Sequence, residues 1–213
     1  MKTVSDVVVV HGEQELFDRA GHLFEGVTDM ACAANDLHTW AVSRPHRAPL
    51  ERVAGRRIRK IYRPGVLLDP SGAAHLREVH ELGATIRITV VEINETILLD
   101  NRVAILAGGM TDGVRSYSVI SNPETVHGVR SLFEVAWRAA TELAVYDARI
   151  TEIRLLAPQI LELLASGCKD ETAARTLDLG VRTYRRRVAE LMTALDASSR
   201  FQAGARAREL GLI

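Results

Sequence analysis

Apolar residues first gather at Val7-Val-Val-Val10, a run of the length of a buried strand. From Glu13 to Gly26 the spacing turns helical, with Leu16, Ala20, Leu23 and Phe24 on one side. Thr28 to Ala34 reads as a weaker second strand, followed by the polar loop Asn35-Asp-Leu-His-Thr39. A short helix is expected from Pro45 to Val53. Arg57-Ile-Arg-Lys-Ile-Tyr62 then alternates charge and bulk as a half-buried strand should, ending at Pro64-Gly65. Ser71 to Leu82 predicts a helix stopped by Gly83, and Thr85 to Val90 the next strand.

Thr96 to Leu99 and Val103 to Ala107 predict a hairpin turning at Asp100-Asn101. Gly108-Gly109 and Asp112-Gly113 are expected to break the chain, and Ser116 to Ile120 to form the last strand. Ser121-Asn-Pro123 is a helix-start signal. A long helix is expected from Glu124 to about Tyr146, with Val126, Val129, Leu132, Phe133, Ala136 and Trp137 on one face. The pattern then becomes wholly helical. Ser166 to Leu177 predicts a short helix opened by Lys169 and Asp170, and Leu177-Asp-Leu-Gly180 a turn. Val181, Tyr184, Val188, Leu191 and Leu195 form one apolar stripe along a helix that carries Arg182, Arg185 and Arg186 opposite, with Arg187 at its edge. A last helix, Arg200 to Leu210, shows a thin apolar face through Phe201, Ala205 and Ala207 to Leu210.

These elements predict a mixed α/β domain over residues 1–148 followed by an all-α domain over 149–213. The 213-residue length suits one medium and one small domain. Formal net charge is zero, which argues against indiscriminate binding of nucleic acid. The charge is unevenly spread, however. Residues 154–213 hold 10 Lys/Arg against 7 Asp/Glu, a balance of +3, and the remainder carries −3. The excess falls on the helices with the arginines.

Cys32 and Cys168 are too few and too distant for a disulfide framework or a cysteine metal site. His11, His22, His38, His46, His75, His80 and His127 offer no ligand spacing, and His75 and His80, five apart, sit on different helical faces. No metal and no cofactor is implied. Asp29, Asn35, Asp36, His38 and Trp40 cluster around the end of a predicted strand, where open α/β sheets bind ligands, although an ordinary polar loop explains them too. A phosphorylated receiver would need an acidic pair after its first strand, and Val10-His-Gly-Glu13 supplies one carboxylate. No apolar run reaches the length of a membrane span, so a cytoplasmic protein is expected.

The C-terminal segment resembles the LuxR-type helix-turn-helix. Gly167, Ala174, Leu177, Leu179, Arg182, Thr183, Val188, Leu191, Leu195, Ser199, Arg200, Gln202 and Ala203 fall at matching offsets without a gap, and Glu209-Leu-Gly-Leu212 matches the usual ending. Tyr184 replaces the usual valine, Arg187 a histidine, Gly180 a serine N-cap and Asp178 the turn glycine. The family's Thr-Pro-Arg-Glu start is replaced by Ile153-Arg-Leu-Leu-Ala157, so the first helix of the module is expected to restart at Pro158. The resemblance implies a sequence-specific regulator that reads double-stranded DNA as a homodimer through the helix 181–195. Contacts are expected from Lys169, Arg182, Arg185, Arg186, Arg187 and Arg200, with Thr183 and Tyr184 orienting the helix. The alternatives are a solvated arginine face, and a degenerate module that docks a partner protein.

The order of elements in the first part, with Thr89 to Ala104, resembles the phospholipase-D-like sensor domain of TrmB-type regulators. Catalytic relatives carry His-x-Lys-x4-Asp here. This chain has Ile93, Glu95 and Asp100, a hydrocarbon for the nucleophile and an anion for the phosphate-binding cation. The resemblance therefore implies a non-catalytic domain for dimerisation or for sensing a small-molecule or protein effector.

Overall fold

The computed structural model describes residues 6–35 and 55–213. The predicted helix at 45–53, and with it Asp36, His38, Trp40 and His46, lies outside the described residues.

Among the described residues eight strands form one mixed sheet: β1 (Val7–His11), β2 (Asp29–Ala34), β3 (Arg57–Tyr62), β4 (Thr85–Ile88), β5 (Thr96–Leu99), β6 (Val103–Thr111), β7 (Val114–Ile120) and β8 (Thr141–Glu142). Their spatial order is β1-β7-β6-β5-β2-β3-β4-β8. Strands β2, β3 and β4 run parallel, and the remaining pairings are antiparallel. The β5–β6 hairpin turns as expected at Asp100 and Asn101, both at positive φ, which places asparagine and aspartate where they are tolerated.

Among the described residues seven α-helices accompany the sheet: α1 (Gly12–Ala20), α2 (Pro70–Glu81), α3 (Pro123–Ala139), α4 (Leu143–Ala165), α5 (Asp170–Thr176), α6 (Val181–Ala194) and α7 (Arg200–Glu209). The starts of α2 and α3 follow from local chemistry. Asp69 accepts hydrogen bonds from the amides of Ser71 and Gly72, and Asn122 accepts one from Thr125, with proline at the first helical position in both.

The sheet's two faces are unequally covered. On one, the side chains of α1, α2 and α4 join a large apolar cluster that continues without a break into α5, α6 and α7. On the other, Ala31, Ala33, Ile61, Leu98, Ala104 and Ile120 meet, among the described residues, Val126 and Phe133 of α3 as the fully buried partners. Burial pushes the Cys32 thiol, in the large cluster, up to about 11, so it is an inert core group.

Five expectations are corrected. The helix predicted from Glu124 to Tyr146 is two helices. Ala140 takes an extended conformation, and Thr141 and Glu142 pair with Ile88 and Arg87 before α4 begins. Leu132, expected on the inward face of α3, is exposed. Pro158 restarts nothing, because α4 runs through it. Proline removes one hydrogen-bond donor, and Pro158 lies on the exposed side of the helix, where losing that bond costs least. Residues 148 and 149 both lie inside α4. Gly108-Gly109 does not break the chain but lies within β6, where the register shifts between Ala107 and Met110. A Cβ on Gly108 would sit 2.3 Å from Ser116 Oγ, so a side chain there would require the Ser116 hydroxyl to turn away. In α7, finally, Ala203 and Ala207 make the packed face while Phe201 points outward.

Candidate nucleic-acid interface

Helix α5 is a short helix whose first turn holds Asp170 and Glu171, where carboxylates favour the positive end of the helix dipole. Lys169 occupies the N-cap with its side chain exposed and makes no cap bond. The helix ends in a Schellman arrangement: the amide of Leu179 donates to Ala174 O at 2.8 Å and that of Asp178 to Arg175 O at 3.2 Å. Asp178 takes the left-handed conformation, φ 53°, that glycine commonly supplies there. Gly180 is the N-cap of α6 without a side chain to contribute, and its carbonyl accepts the Tyr184 amide.

The stripe read from the sequence is the buried seam of α6. Tyr184, Val188, Leu191 and Ala194 are buried, and Leu195 follows at the C-cap. Tyr184, at 1% exposure, is a core residue that braces α6 and cannot reach a ligand outside it; burial raises its phenol above the ordinary value. Thr183 is half-buried beside it.

Arg182, Arg185 and Arg186 face outward, and Arg200 joins them from the start of α7. Asp170 unites two of these cations. Its Oδ2 accepts from Arg185 Nε at 2.8 Å and its Oδ1 from Arg200 Nη2 at 2.7 Å. Those bonds, Arg185's first and Arg200's second, hold the Asp170 carboxyl below the ordinary aspartate value. Glu171 adds a longer contact to Arg185, 3.5 Å. Arg186 lies 3.9 Å from Glu190, one turn on. Arg182 has no ion pair among the described residues. Arg187 differs from the rest. Its side chain is 14% exposed and is held between Glu190 and Glu152 of α4, so it is a strut between α6 and α4 rather than part of the cationic face. Exposed ion pairs of this kind contribute only about 0–1 kcal/mol each, so the outward arginines exchange partners at little cost.

Asp170 was not among the residues the sequence nominated, although its place at the start of the helix before the arginines is the signal that would have found it. The strand-end cluster is divided by the sheet. Asp29 starts β2, near Arg57 and Arg130, whereas Asn35 follows its other end. Asn35 there borders a cleft of about 150 Å³ with Arg63, Glu92, Asp196 and Arg206. Arg63, buried, donates to Val90 O at 2.8 Å and pairs with Asp196 at 2.6 Å, tying the end of β3 to the end of α6. The three positions of the catalytic pattern hold neither its histidine nor its lysine. Ile93 packs beside the α3 cluster, and Glu95 is buried against Arg115 at 2.5 Å. Asp100 braces the hairpin by accepting from the amides of Thr28 and Asp29.

No family model matches the chain. Over 160 residues, 75% of its length, it is 35% identical to the bialaphos biosynthetic pathway regulatory protein of Streptomyces hygroscopicus, and it spans 62% of that protein. The chain is thus similar to a regulatory protein. Its fold is shared with TrmBL2, an archaeal chromatin protein whose structure shows a mode of DNA binding. That match has a TM-score of 0.51 and 13% identity, over 67% of this chain and 56% of that one. A phospholipase D family member, Nuc from Salmonella typhimurium, aligns with a TM-score of 0.48 and 14% identity, over 64% of this chain and 96% of that one. No helix among the described residues is long and apolar enough to cross a membrane.

Proposed function

We propose that this protein is a transcriptional regulator that binds double-stranded DNA as a homodimer, with α5 and α6 forming a LuxR-type helix-turn-helix and α6 entering the major groove. The observation that carries the reading is the outward guanidinium face of α6, Arg182, Arg185 and Arg186, on a helix whose opposite side is a buried seam. Similarity to a regulatory protein supports it. Arginine at the N-terminal end of such a helix meets the phosphates at the groove's edge and forks onto guanine within it. Arg200 and Lys169 flank that end and add phosphate contacts. Tyr184 and Arg187 hold the helix in place from behind. The α/β part, residues 1–148, serves dimerisation or sensing and is not catalytic, and the DNA-reading part follows over 149–213 with α4 shared between them.

The test is a pair of alanine substitutions, R185A/R186A. The double variant should keep its thermal unfolding midpoint and bind an operator duplex about 100-fold more weakly by fluorescence anisotropy, since an arginine paired with a base is worth about 1–3 kcal/mol. Equal binding by the two proteins would end the DNA-reading assignment.

A second reading rests on the exposure of Phe201, 88%, beside Arg200. An aromatic ring that open suits docking to a partner protein through this end of the molecule. Salt separates the two. Phosphate contacts make log affinity fall by about 0.9 per contact for each decade of salt, whereas an apolar dock changes little.

A further inference from the structure

Helix α3 has an inward face that is fully explained by the fold and an outward face that is not. Inward, Val126 and Phe133 are buried on the sheet, and Phe133 stacks on Trp137 with ring centroids 5.9 Å apart. Two sheet arginines clamp these rings. The Arg59 guanidinium lies 5.4 Å from the Phe133 centroid and 5.5 Å from that of Trp137, and Arg87 lies 4.8 Å from Trp137. Arg87 also donates to Trp137 O at 2.7 Å, and Arg59 to Glu134 at 2.8 Å. The helix is held in one rotational setting.

That setting points Gly128, Ser131, Leu132, Val135 and Ala139 at solvent. Leu132 is 73% exposed and Val135 59%. The outer side of a surface helix ordinarily carries charge. On this face the charged side chains stand at the two ends, Glu124 in the first turn and Arg138 in the last, with exposed His127 between them. Neither end charge has an ion pair among the described residues, and Arg130 and Glu134 lie half-buried on the flank, paired with each other. Gly128 sharpens the anomaly. Glycine inside a helix is unfavourable by roughly 0.5–1 kcal/mol relative to alanine. Yet a Cβ at Gly128 would meet nothing within 4 Å, so no contact inside this chain requires its absence.

We infer that this face receives a second copy of the chain, with the two α3 helices packed antiparallel about a two-fold axis between Ser131 and Leu132. The sequence along the face is complementary to itself in that orientation only. Leu132 meets its symmetry mate near the axis. Val135 of each copy falls over Gly128 of the other, where the missing side chain admits close approach, as small residues do at tight helix crossings. Glu124 of each copy comes beside Arg138 of the other, so the interface closes with two opposed ion pairs. A parallel arrangement would set Glu124 against Glu124 and Arg138 against Arg138. Such an interface is isologous, the commonest closed symmetry among soluble oligomers.

The helix pair alone is smaller than the roughly 800 Å² per partner of a stable interface. The edge of the sheet adds exposed apolar surface on the same side of the molecule. Val7 pairs in register with Ile120, which is buried under α3, so Val7 and Val9 of the edge strand β1 lie on the same face and are exposed.

The proposal supplies the site of the homodimer included in the proposed function, and the test separates the two. Sedimentation equilibrium of the full chain should show a dimer for wild type and a monomer with unchanged circular dichroism for Leu132→Arg. Each of Glu124→Arg and Arg138→Glu should weaken the dimer about tenfold by setting like charges together twice, and the double swap should restore it. Ser131→Cys, in a Cys168→Ser background, should form a disulfide-linked dimer on mild oxidation. A Leu132→Arg variant that stays dimeric overturns the placement on α3 and leaves the homodimer standing. A monomeric wild type overturns both, and neither result bears on the DNA contacts tested through Arg185 and Arg186.

Discussion

Arg59 and Arg87 on the sheet present the same guanidinium as Arg182, Arg185 and Arg186 on α6, in opposite surroundings. Arg59 is nearly enclosed, lies against two aromatic rings and has one carboxylate, Glu134. Its Nε and Nη2 have no hydrogen-bond partner among the described residues. Arg185 and Arg186 keep most of their side-chain surface in water and lean on Asp170, Glu171 and Glu190, and Arg182 has no ion pair among the described residues. In the first setting the charge is expensive to bury and its partners are fixed by packing. In the second, water already solvates the charge, so a phosphate can take over from a carboxylate with little loss. Burial decides whether an arginine is part of the scaffold or part of a surface that binds.

The largest expected effect breaks the buried side of this contrast. Glu134→Ala leaves the Arg59 charge enclosed with only the rings and water at its edge. Removing one partner of a buried pair commonly destabilises by about 3–5 kcal/mol, and the partial exposure of Glu134 puts the expectation near 3. Replacing both, Arg59→Met with Glu134→Leu, should recover most of that loss. Urea unfolding measures both variants. A Glu134→Ala protein within about 0.5 kcal/mol of wild type would mean that the ring faces alone satisfy the guanidinium.

A smaller effect sharpens the contrast inside α6. Arg187→Ala should lower stability by about 1 kcal/mol, because it removes a largely enclosed strut to Glu152 and Glu190. It should leave operator affinity per folded molecule within about twofold. Arg185→Ala should do the reverse, with stability unchanged and affinity down about tenfold. The two adjacent classes are told apart by measuring melting and anisotropy on the same samples. If Arg187→Ala weakens binding as much as Arg185→Ala does, the cationic face extends round the helix edge.

How much of this was legible in the sequence depended on whether the deciding interaction was local. The seam of α6 from Tyr184 to Leu195 was readable because helical period and burial are the same pattern. The start of α3 was readable from Asn122-Pro123, and the β5–β6 turn from Asp100-Asn101. The end of α3 was not. Residues 137–146 keep a helical spacing, and what breaks them at Ala140 is pairing of Thr141 and Glu142 with β4, a contact remote in sequence. The burial of Arg59 was equally hidden, since the alternation in Arg57 to Tyr62 gave a solvent face that α3 in fact covers. At the candidate site, the sequence located the arginines but not their anions. Asp170 reaches Arg185 and Arg200 only because the turn at Asp178 folds α6 back beside the start of α5.

Acid should weaken a third arginine cluster, in which Asp147 of α4 holds Arg154 and Arg77. Burial alone would raise the Asp147 carboxyl, but hydrogen bonds from Arg154 and Arg77 outweigh it and the group titrates below 3.8. A carboxyl whose pKa is lowered on folding contributes its full stabilisation above the unfolded value and loses it as pH falls through the folded one. Stability should therefore fall below about pH 4, and Asp147→Asn should flatten that fall while lowering the neutral-pH plateau. Urea midpoints measured from pH 7 downward show this. A plateau unchanged by Asp147→Asn would place the acid sensitivity on other carboxylates, Asp100 and Asp170 among them.

The smallest effect concerns Asp170, the residue on which the exposed class turns. Asp170→Asn removes the charge that Arg185 and Arg200 share and raises the local balance by one unit beside the proposed DNA surface. If those guanidiniums are freely exchangeable, phosphate no longer competes with the carboxylate, and operator affinity should rise about threefold to tenfold with a salt slope steeper by up to one contact, about 0.9. The opposite outcome is equally instructive. Weaker binding by Asp170→Asn, with the fold intact, would mean that the carboxylate aims the two arginines, as Glu134 and the rings aim Arg59. Exposure would then no longer distinguish the two classes, because the α6 arginines too would act through a fixed geometry rather than through their availability to solvent.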